Sequence, residues 1–238
     1  MKKLILTAAA LALSTGFAMA DTVRMGTEGA YPPYNFINDK GEVDGFEREL
    51  GDTLCAKAGL TCEWVTNEWD SIIPNLLSGN YDTIIAGMSI TDERKETIDF
   101  TQNYYPPAAS AYVAMNDGAD LKGVVAAQVG TIQADYVAKS GATLLEFATL
   151  DDTVAAVKNG EADAVFADKD ALAPFVTEGG DLKWEGEDVP LGGGIGIGLR
   201  KSDTELKGKF DAVITEMKAD GSLNTMIKKW FGDDAATF

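Results

Sequence analysis

Short apolar runs alternate with helix-length amphipathic segments twice along this chain, and that alternation restricts its fold more than any other feature. In the first series, Thr22 to Gly26 reads as a strand, and Phe46 to Ala58 carries Phe46, Leu50, Leu54 and Ala58 at helical spacing. Gly59 closes that helix and Cys62 to Val65 begins a second strand. Asp70 is expected to cap a helix through Ile72, Ile73, Leu76 and Leu77 that ends at Gly79, ahead of a buried strand from Thr83 to Ile85. Such a βαβ series demands a parallel sheet with right-handed crossovers. After Pro106-Pro107 a second series predicts strands at 124–128, 144–147 and 164–166, and helices at 132–139, 153–158 and 171–176.

The two series share a local echo. Leu77-Ser78-Gly79-Asn80-Tyr81-Asp82-Thr83-Ile84-Ile85-Ala86 and Lys158-Asn159-Gly160-Glu161-Ala162-Asp163-Ala164-Val165-Phe166-Ala167 both run helix end, glycine, Asp, buried strand. Either two turns use the same chemistry, or two lobes share one construction. The second reading pairs Gly87 with Asp168, each just past the carboxyl end of a strand, where open α/β sheets bind their ligands.

Beyond the second series, Gly192 to Lys201 alternates glycine with aliphatics. The G-x-G-x-x-G spacing and following helix of a phosphate loop are missing, so close backbone approach in an extended crossing segment is expected instead. Two amphipathic helices follow, from Asp203 to Ala219 and from a Ser222 cap through Trp230, expected to pack back on the first lobe. Crossings near Pro106-Pro107 and near 192–198 would form a two-strand hinge. The expected division is 21–107 plus 198–238 for lobe 1 and 108–197 for lobe 2.

Met1-Lys2-Lys3, an apolar run from Leu4 to Leu13, and Ala18-Met19-Ala20 have the layout of a secretory signal peptide cleaved after Ala20. That apolar run is well short of the roughly 20 residues a membrane-spanning helix needs. Without Lys2 and Lys3, 18 basic residues face 38 acidic ones, a net charge of −20. This balance argues against nucleic acid or an anionic membrane surface as partner. There is no histidine and there are only two cysteines, which excludes histidine-based triads and most zinc sites. Export to an oxidising compartment predicts that Cys55 and Cys62 form a structural disulfide, since redox catalysis would favour C-x-x-C.

The chemistry concentrates at Ala86 to Arg94. Small residues follow a buried strand, a helix from Asp92 to Ile98 opens behind a Ser or Thr cap, and Arg94 stands at its start. Backbone N–H groups and one guanidinium together make a receptacle for a carboxylate.

Several motifs go further: Gly45-Phe46-Glu47 ahead of a helix, Trp69-Asp70-Ser71-Ile72-Ile73-Pro74-Asn75-Leu76, Ser89-Ile90-Thr91-Asp92-Glu93-Arg94, Gly130-Thr131-Ile132-Gln133, and Ala219-Asp220-Gly221-Ser222 with Lys228-Lys229-Trp230-Phe231. With Cys55 and Cys62, they resemble the periplasmic amino-acid-binding proteins of ABC importers, the bacterial extracellular solute-binding proteins of family 3. Within them the chain is most similar to the lysine/arginine/ornithine-, histidine- and opine-binding group, over essentially its whole mature length. The resemblance implies a type II periplasmic-binding-protein fold, with two α/β lobes, each a mixed, mainly parallel sheet flanked by helices, joined by the two-strand hinge. It implies a monomer that closes on one L-amino acid and delivers it to an inner-membrane ABC permease, with no cofactor, no metal and no nucleic acid.

The resemblance also implies roles. Arg94 grips the ligand α-carboxylate, with Ser89 and the backbone of Thr131 as further donors, and Asp168 accepts the α-ammonium, although it could instead cap the helix at Ala171. Glu28 meets a distal cation, Tyr31 and Trp69 form aromatic walls, and Gln133 contributes to side-chain selection. The chain departs from the pattern at Ala86 and Gly87, where the basic-amino-acid group often carries two serines. The resemblance and Glu28 imply a basic ligand such as arginine, lysine, ornithine or an opine, and the departure at Ala86 and Gly87 leaves glutamine or another polar amino acid as the alternative. An enzyme of the cyclohexadienyl-dehydratase type on the same fold, using Glu28 or Asp168 as base, is the rival of another class. A sensory domain is disfavoured because no membrane span follows Phe238.

Overall fold

The computed structural model describes residues 22–177 and 180–238. The expected signal peptide and its cleavage site lie outside them.

In the first lobe, β1 (Val23–Thr27), a small sheet of β2 (Ala30–Tyr31), β3 (Asn35–Ile37) and β4 (Val43–Asp44), helix α1 (Phe46–Ala58), β5 (Cys62–Thr66), α2 (Ile72–Leu77), β6 (Thr83–Ile84), α3 (Asp92–Thr97) and β7 (Asp99–Phe100) follow in order. The second lobe holds β8 (Ala109–Ala114), β9 (Val124–Gln128), α4 (Ile132–Ser140), β10 (Thr143–Phe147), α5 (Leu150–Lys158), β11 (Ala164–Asp168), α6 (Lys169–Thr177) and β12 (Lys183–Pro190). The chain then returns through β13 (Gly198–Leu199) to α7 (Thr204–Ala219) and α8 (Ser222–Phe231). The main sheets run β5-β1-β6-β13-β7 and β10-β9-β11-β8-β12. In each, three parallel strands are extended by antiparallel ones. β13 thus inserts a late segment of the chain into the middle of the first sheet.

Helical spacing explains how α1 packs: Phe46, Leu50 and Leu54 fall on one stripe and are fully buried, in one cluster with Met25 of β1 and Phe210 and Ile214 of α7. Each such side chain contributes about 1.5–3 kcal/mol by burial. Gly59 ends the helix in the left-handed conformation, and the Cys55–Cys62 disulfide ties its last turn to the first residue of β5.

The echo corresponds to one turn built twice. In the first lobe Asp82 N–H donates to the Arg24 carbonyl (2.9 Å), while its carboxylate accepts the Arg24 N–H (3.0 Å). In the second, Asp163 makes the same pair of bonds with Val124, both at 2.8 Å. Each aspartate therefore locks the start of a strand to its parallel neighbour. The lobes differ in what surrounds that carboxylate, since Arg24 and Arg200 also pair with Asp82.

The two crossings run side by side. Ile195 N–H donates to the Tyr105 carbonyl (3.0 Å), and the Ile195 carbonyl accepts from Tyr104 (2.8 Å). At Gly194, where φ is +89°, a Cβ would lie 2.6 Å from the Asn103 side-chain amide and 2.7 Å from the Tyr105 carbonyl, so only glycine allows this approach.

Several expectations need correction. Asp70 does not cap a helix; it sits inside a 3-10 turn spanning Trp69–Ser71 that leads into α2. Ser222 is the first residue of α8 rather than its cap, which is Gly221. Strands β8 and β12 lie where the sequence shows no clean period-2 signal, because β8 is next to a proline pair and β12 is largely exposed and charged.

Candidate functional site

The carboxyl ends of β1, β6, β9 and β11 converge on a small cavity between the lobes. Its wall brings together all ten sequence candidates, Glu28, Tyr31, Trp69, Ala86, Gly87, Ser89, Arg94, Thr131, Gln133 and Asp168. Two residues not singled out from the sequence, Gln128 and Ile132, complete it.

Arg94 reaches the cavity from the first turn of α3, where Thr91 Oγ1 accepts its backbone N–H (3.1 Å) as the N-cap. Its guanidinium donates to the Ser89 carbonyl (2.9 Å) and, across the cleft, to the Gly130 carbonyl (3.2 Å). The guanidinium carbon lies 5.4 Å from the centre of the Trp69 ring. Trp69 thereby supports Arg94 as well as walling the cavity, a cation–π contact worth about 0.5–2 kcal/mol. Burial holds the Arg94 pKa below its ordinary value, with Asp168 the largest opposing influence.

Asp168 ends β11 and faces the first lobe. Its Oδ2 accepts from the Tyr31 hydroxyl (2.7 Å) and its Oδ1 from Gln133 Nε2 (2.9 Å). Burial pushes this carboxyl up to about 6, against the pull of Tyr31 and Arg94. Gln133 Nε2 also donates to Ser110 Oγ (2.9 Å), so both its amide hydrogens are committed to holding Asp168 and the sheet. What Gln133 supplies directly is orientation of that carboxylate.

Glu28, which follows β1, lines the same wall. Gln128 Nε2, from the last residue of β9, donates to Glu28 Oε1 (2.6 Å) and to the Ala148 carbonyl (3.0 Å). Burial pushes the Glu28 carboxyl up to about 7, with the Gln128 donor opposing and Glu47 adding repulsion. A glutamine ending an apolar strand was the available sign of this role, because a polar side chain there must find a partner at the sheet's carboxyl edge. Thr131 caps α4: its hydroxyl accepts from Ala134 N–H (3.1 Å) and donates to the Gln128 carbonyl (2.7 Å). Its hydroxyl is therefore spent within the fold.

Behind the wall, fully buried Glu47 accepts from the Gly87 N–H (2.6 Å), from the Tyr104 hydroxyl and from Asn35 Nδ2 (2.7 Å). Gly87 has φ +62°, and a Cβ there would come within 3.3 Å of the Tyr31 ring. With its N–H turned toward Glu47, Gly87 has no backbone donor to offer a ligand carboxylate. Among the described residues no group of three or more Cys, Asp or Glu side chains is placed to hold a metal, and no helix is long and apolar enough to cross a membrane.

Comparison with known proteins agrees with this architecture. An L-arginine-binding protein of Pseudomonas aeruginosa is 35% identical, with 98% of each chain covered. The lysine/arginine/ornithine-binding periplasmic protein of Escherichia coli is 32% identical over 97% of each. The crystal structure of a periplasmic His/Glu/Gln/Arg/opine family-binding protein from Silicibacter pomeroyi, in complex with lysine, is 77% identical and superposes with a TM-score of 0.90, covering 91% of this chain and 100% of that one. The sequence pattern of one family matches residues 23–233, and by that match and these relatives the chain belongs to the bacterial extracellular solute-binding proteins, family 3.

Proposed function

We propose that this protein is a periplasmic receptor that closes on an L-amino acid with a cationic side chain, lysine or arginine above all, and delivers it to an ABC permease. The observation that carries the reading is the charge of the cavity wall. Two carboxylates, Glu28 and Asp168, stand there against one guanidinium, Arg94. An amino-acid zwitterion satisfies Arg94 and Asp168 and leaves Glu28 uncompensated, so a second cation on the ligand completes the balance. The ligands of the relatives support the same class.

In this reading Arg94, Ser89 and the Thr131 N–H take the α-carboxylate, Asp168 takes the α-ammonium, and Glu28 takes the side-chain cation. Tyr31 and Trp69 flank the aliphatic stem. The lobes divide at about residues 107 and 198, where the paired crossings lie, and contacts from both stabilise the closed form. Export follows removal of residues 1–20, and the receptor acts as a monomer without catalysis. A carboxyl near pH 7 is what a dehydratase base would need; a family of solute-binding proteins and relatives named as binding proteins favour the receptor.

Titration calorimetry with lysine, arginine, ornithine, histidine and glutamine tests this, with mass spectrometry of the recovered ligand. We expect micromolar or tighter binding of lysine or arginine and an unchanged ligand. In Arg94→Ala, loss of one partner of a buried charge pair should weaken every amino acid by at least about thirtyfold. No binding tighter than about millimolar, or a chemically altered ligand, would overturn the reading.

A further inference from the structure

Glu47 is outside the cavity wall, yet its carboxylate ties together three segments that build it. Oε1 accepts from the Gly87 N–H and the Tyr104 hydroxyl, and Oε2 from Asn35 Nδ2. Asn35 Oδ1 in turn accepts the Gly29 N–H (2.7 Å), fixing the loop between Glu28 and Tyr31. Glu47 and Asn35 are both fully buried, and Tyr104 begins the first crossing between the lobes.

The bond to Gly87 has a directional consequence. The Ala86–Gly87 peptide is trans, and in a planar trans unit the N–H and C=O point in opposite directions. With the N–H held by a group behind the wall, the Ala86 carbonyl is turned the other way, toward the cavity. We propose that Glu47 is a positioning residue of the binding site, which aims the Ala86 carbonyl into the cavity as an acceptor for a ligand ammonium and sets the height of the Glu28–Tyr31 loop opposite it. A backbone acceptor then stands where the chain lacks the two serine hydroxyls. This rests on the receptor reading.

The test uses the polarity of the network. In Glu47→Gln the new amide sets donor against donor, at Asn35 or at Gly87, whichever way it turns. Adding Asn35→Asp reverses the middle bond: the aspartate accepts from Gly29 and from the glutamine amide, whose oxygen still accepts from Gly87 and Tyr104. The buried negative charge is kept. Leu54→Ala, in the core of the same helix, controls for general loss of stability.

Lysine is titrated calorimetrically into the wild type and the three variants, with melting temperatures in parallel. We expect Glu47→Gln to bind at least about tenfold more weakly, the exchange variant to return to within about threefold, and Leu54→Ala to melt lower while binding as the wild type does. The role is overturned if Glu47→Gln binds within about twofold of wild type, if Leu54→Ala loses as much affinity, or if the exchange recovers melting temperature but not affinity. Should Glu47→Gln not fold, the exchange variant decides: folding and binding support the role, and failure of either overturns it. A wild type that binds no amino acid overturns the receptor reading and this role with it, whereas wild-type binding matched by Glu47→Gln overturns the role alone.

Discussion

The Tyr31 hydroxyl donates to Asp168 Oδ2 at 2.7 Å across 137 residues of sequence, joining the end of β2 to the end of β11 and so one lobe to the other. Tyr105 and Asp170 repeat the arrangement at 2.8 Å. Tyr31→Phe keeps the ring against Gly87 and removes only the donor. A hydrogen bond to a charged group is worth about 1.5–3 kcal/mol, so lysine should bind about tenfold more weakly or worse. The pH dependence gives the sign. Burial raises Asp168 to about 6 and Tyr31 restrains that rise, so without Tyr31 the carboxyl protonates at higher pH. The charged form receives the ammonium, and affinity in the variant should begin to fall at a higher pH than in the wild type, as calorimetry from pH 5 to 8 would register.

Glu28 predicts a proton linkage. With its carboxyl at about 7 in the unliganded cavity, it is half protonated near neutrality, and a ligand cation lowers that pKa. Binding of lysine at pH 7 should therefore release about half a proton, seen as a dependence of the calorimetric heat on the ionisation enthalpy of the buffer. Affinity should rise as pH climbs through about 7 and level off above it. Glu28→Gln should abolish the release and weaken lysine much more than glutamine. Equal losses for both ligands would refute the assignment of Glu28 to the distal cation.

The disulfide should matter for stability and not for recognition. It closes a short loop between α1 and β5, and its cysteines are not among the cavity-lining residues. Chain-entropy arguments for a loop of this size give about 2–3 kcal/mol. Replacing both cysteines by alanine should lower unfolding free energy in denaturant by about that amount, with lysine affinity unchanged to within about twofold.

Much of this was legible because it is local. The stripe of Phe46, Leu50 and Leu54, the glycine stop at position 59 and the Thr91 cap are matters of spacing within a few residues, and α1 falls where periodicity put it. The repeated Asp82 and Asp163 turns were also visible as an echo, since identical chemistry at a helix-to-strand corner leaves an identical trace. The candidate residues around the cavity were found through motif resemblance, which carries information about distant neighbours that periodicity does not. Antiparallel strands β8 and β12 lacked such a trace, one partly hidden by the preceding prolines and the other exposed.

What the sequence by itself determined is the alternation of elements, the strand ends at which ligand groups can stand, and the excess of acid over base. Tertiary structure alone decided how those groups are spent. Gln133 turned out to hold Asp168, Trp69 to support Arg94, Gln128 to brace Glu28 from the opposite lobe, and Glu47 to direct Gly87 from behind. Each of these pairings spans from 25 to 100 residues, whereas a sequence pattern reports which face a side chain occupies within its own element. Which donor meets which acceptor is fixed only when the two sheets and the crossings between them bring their edges together.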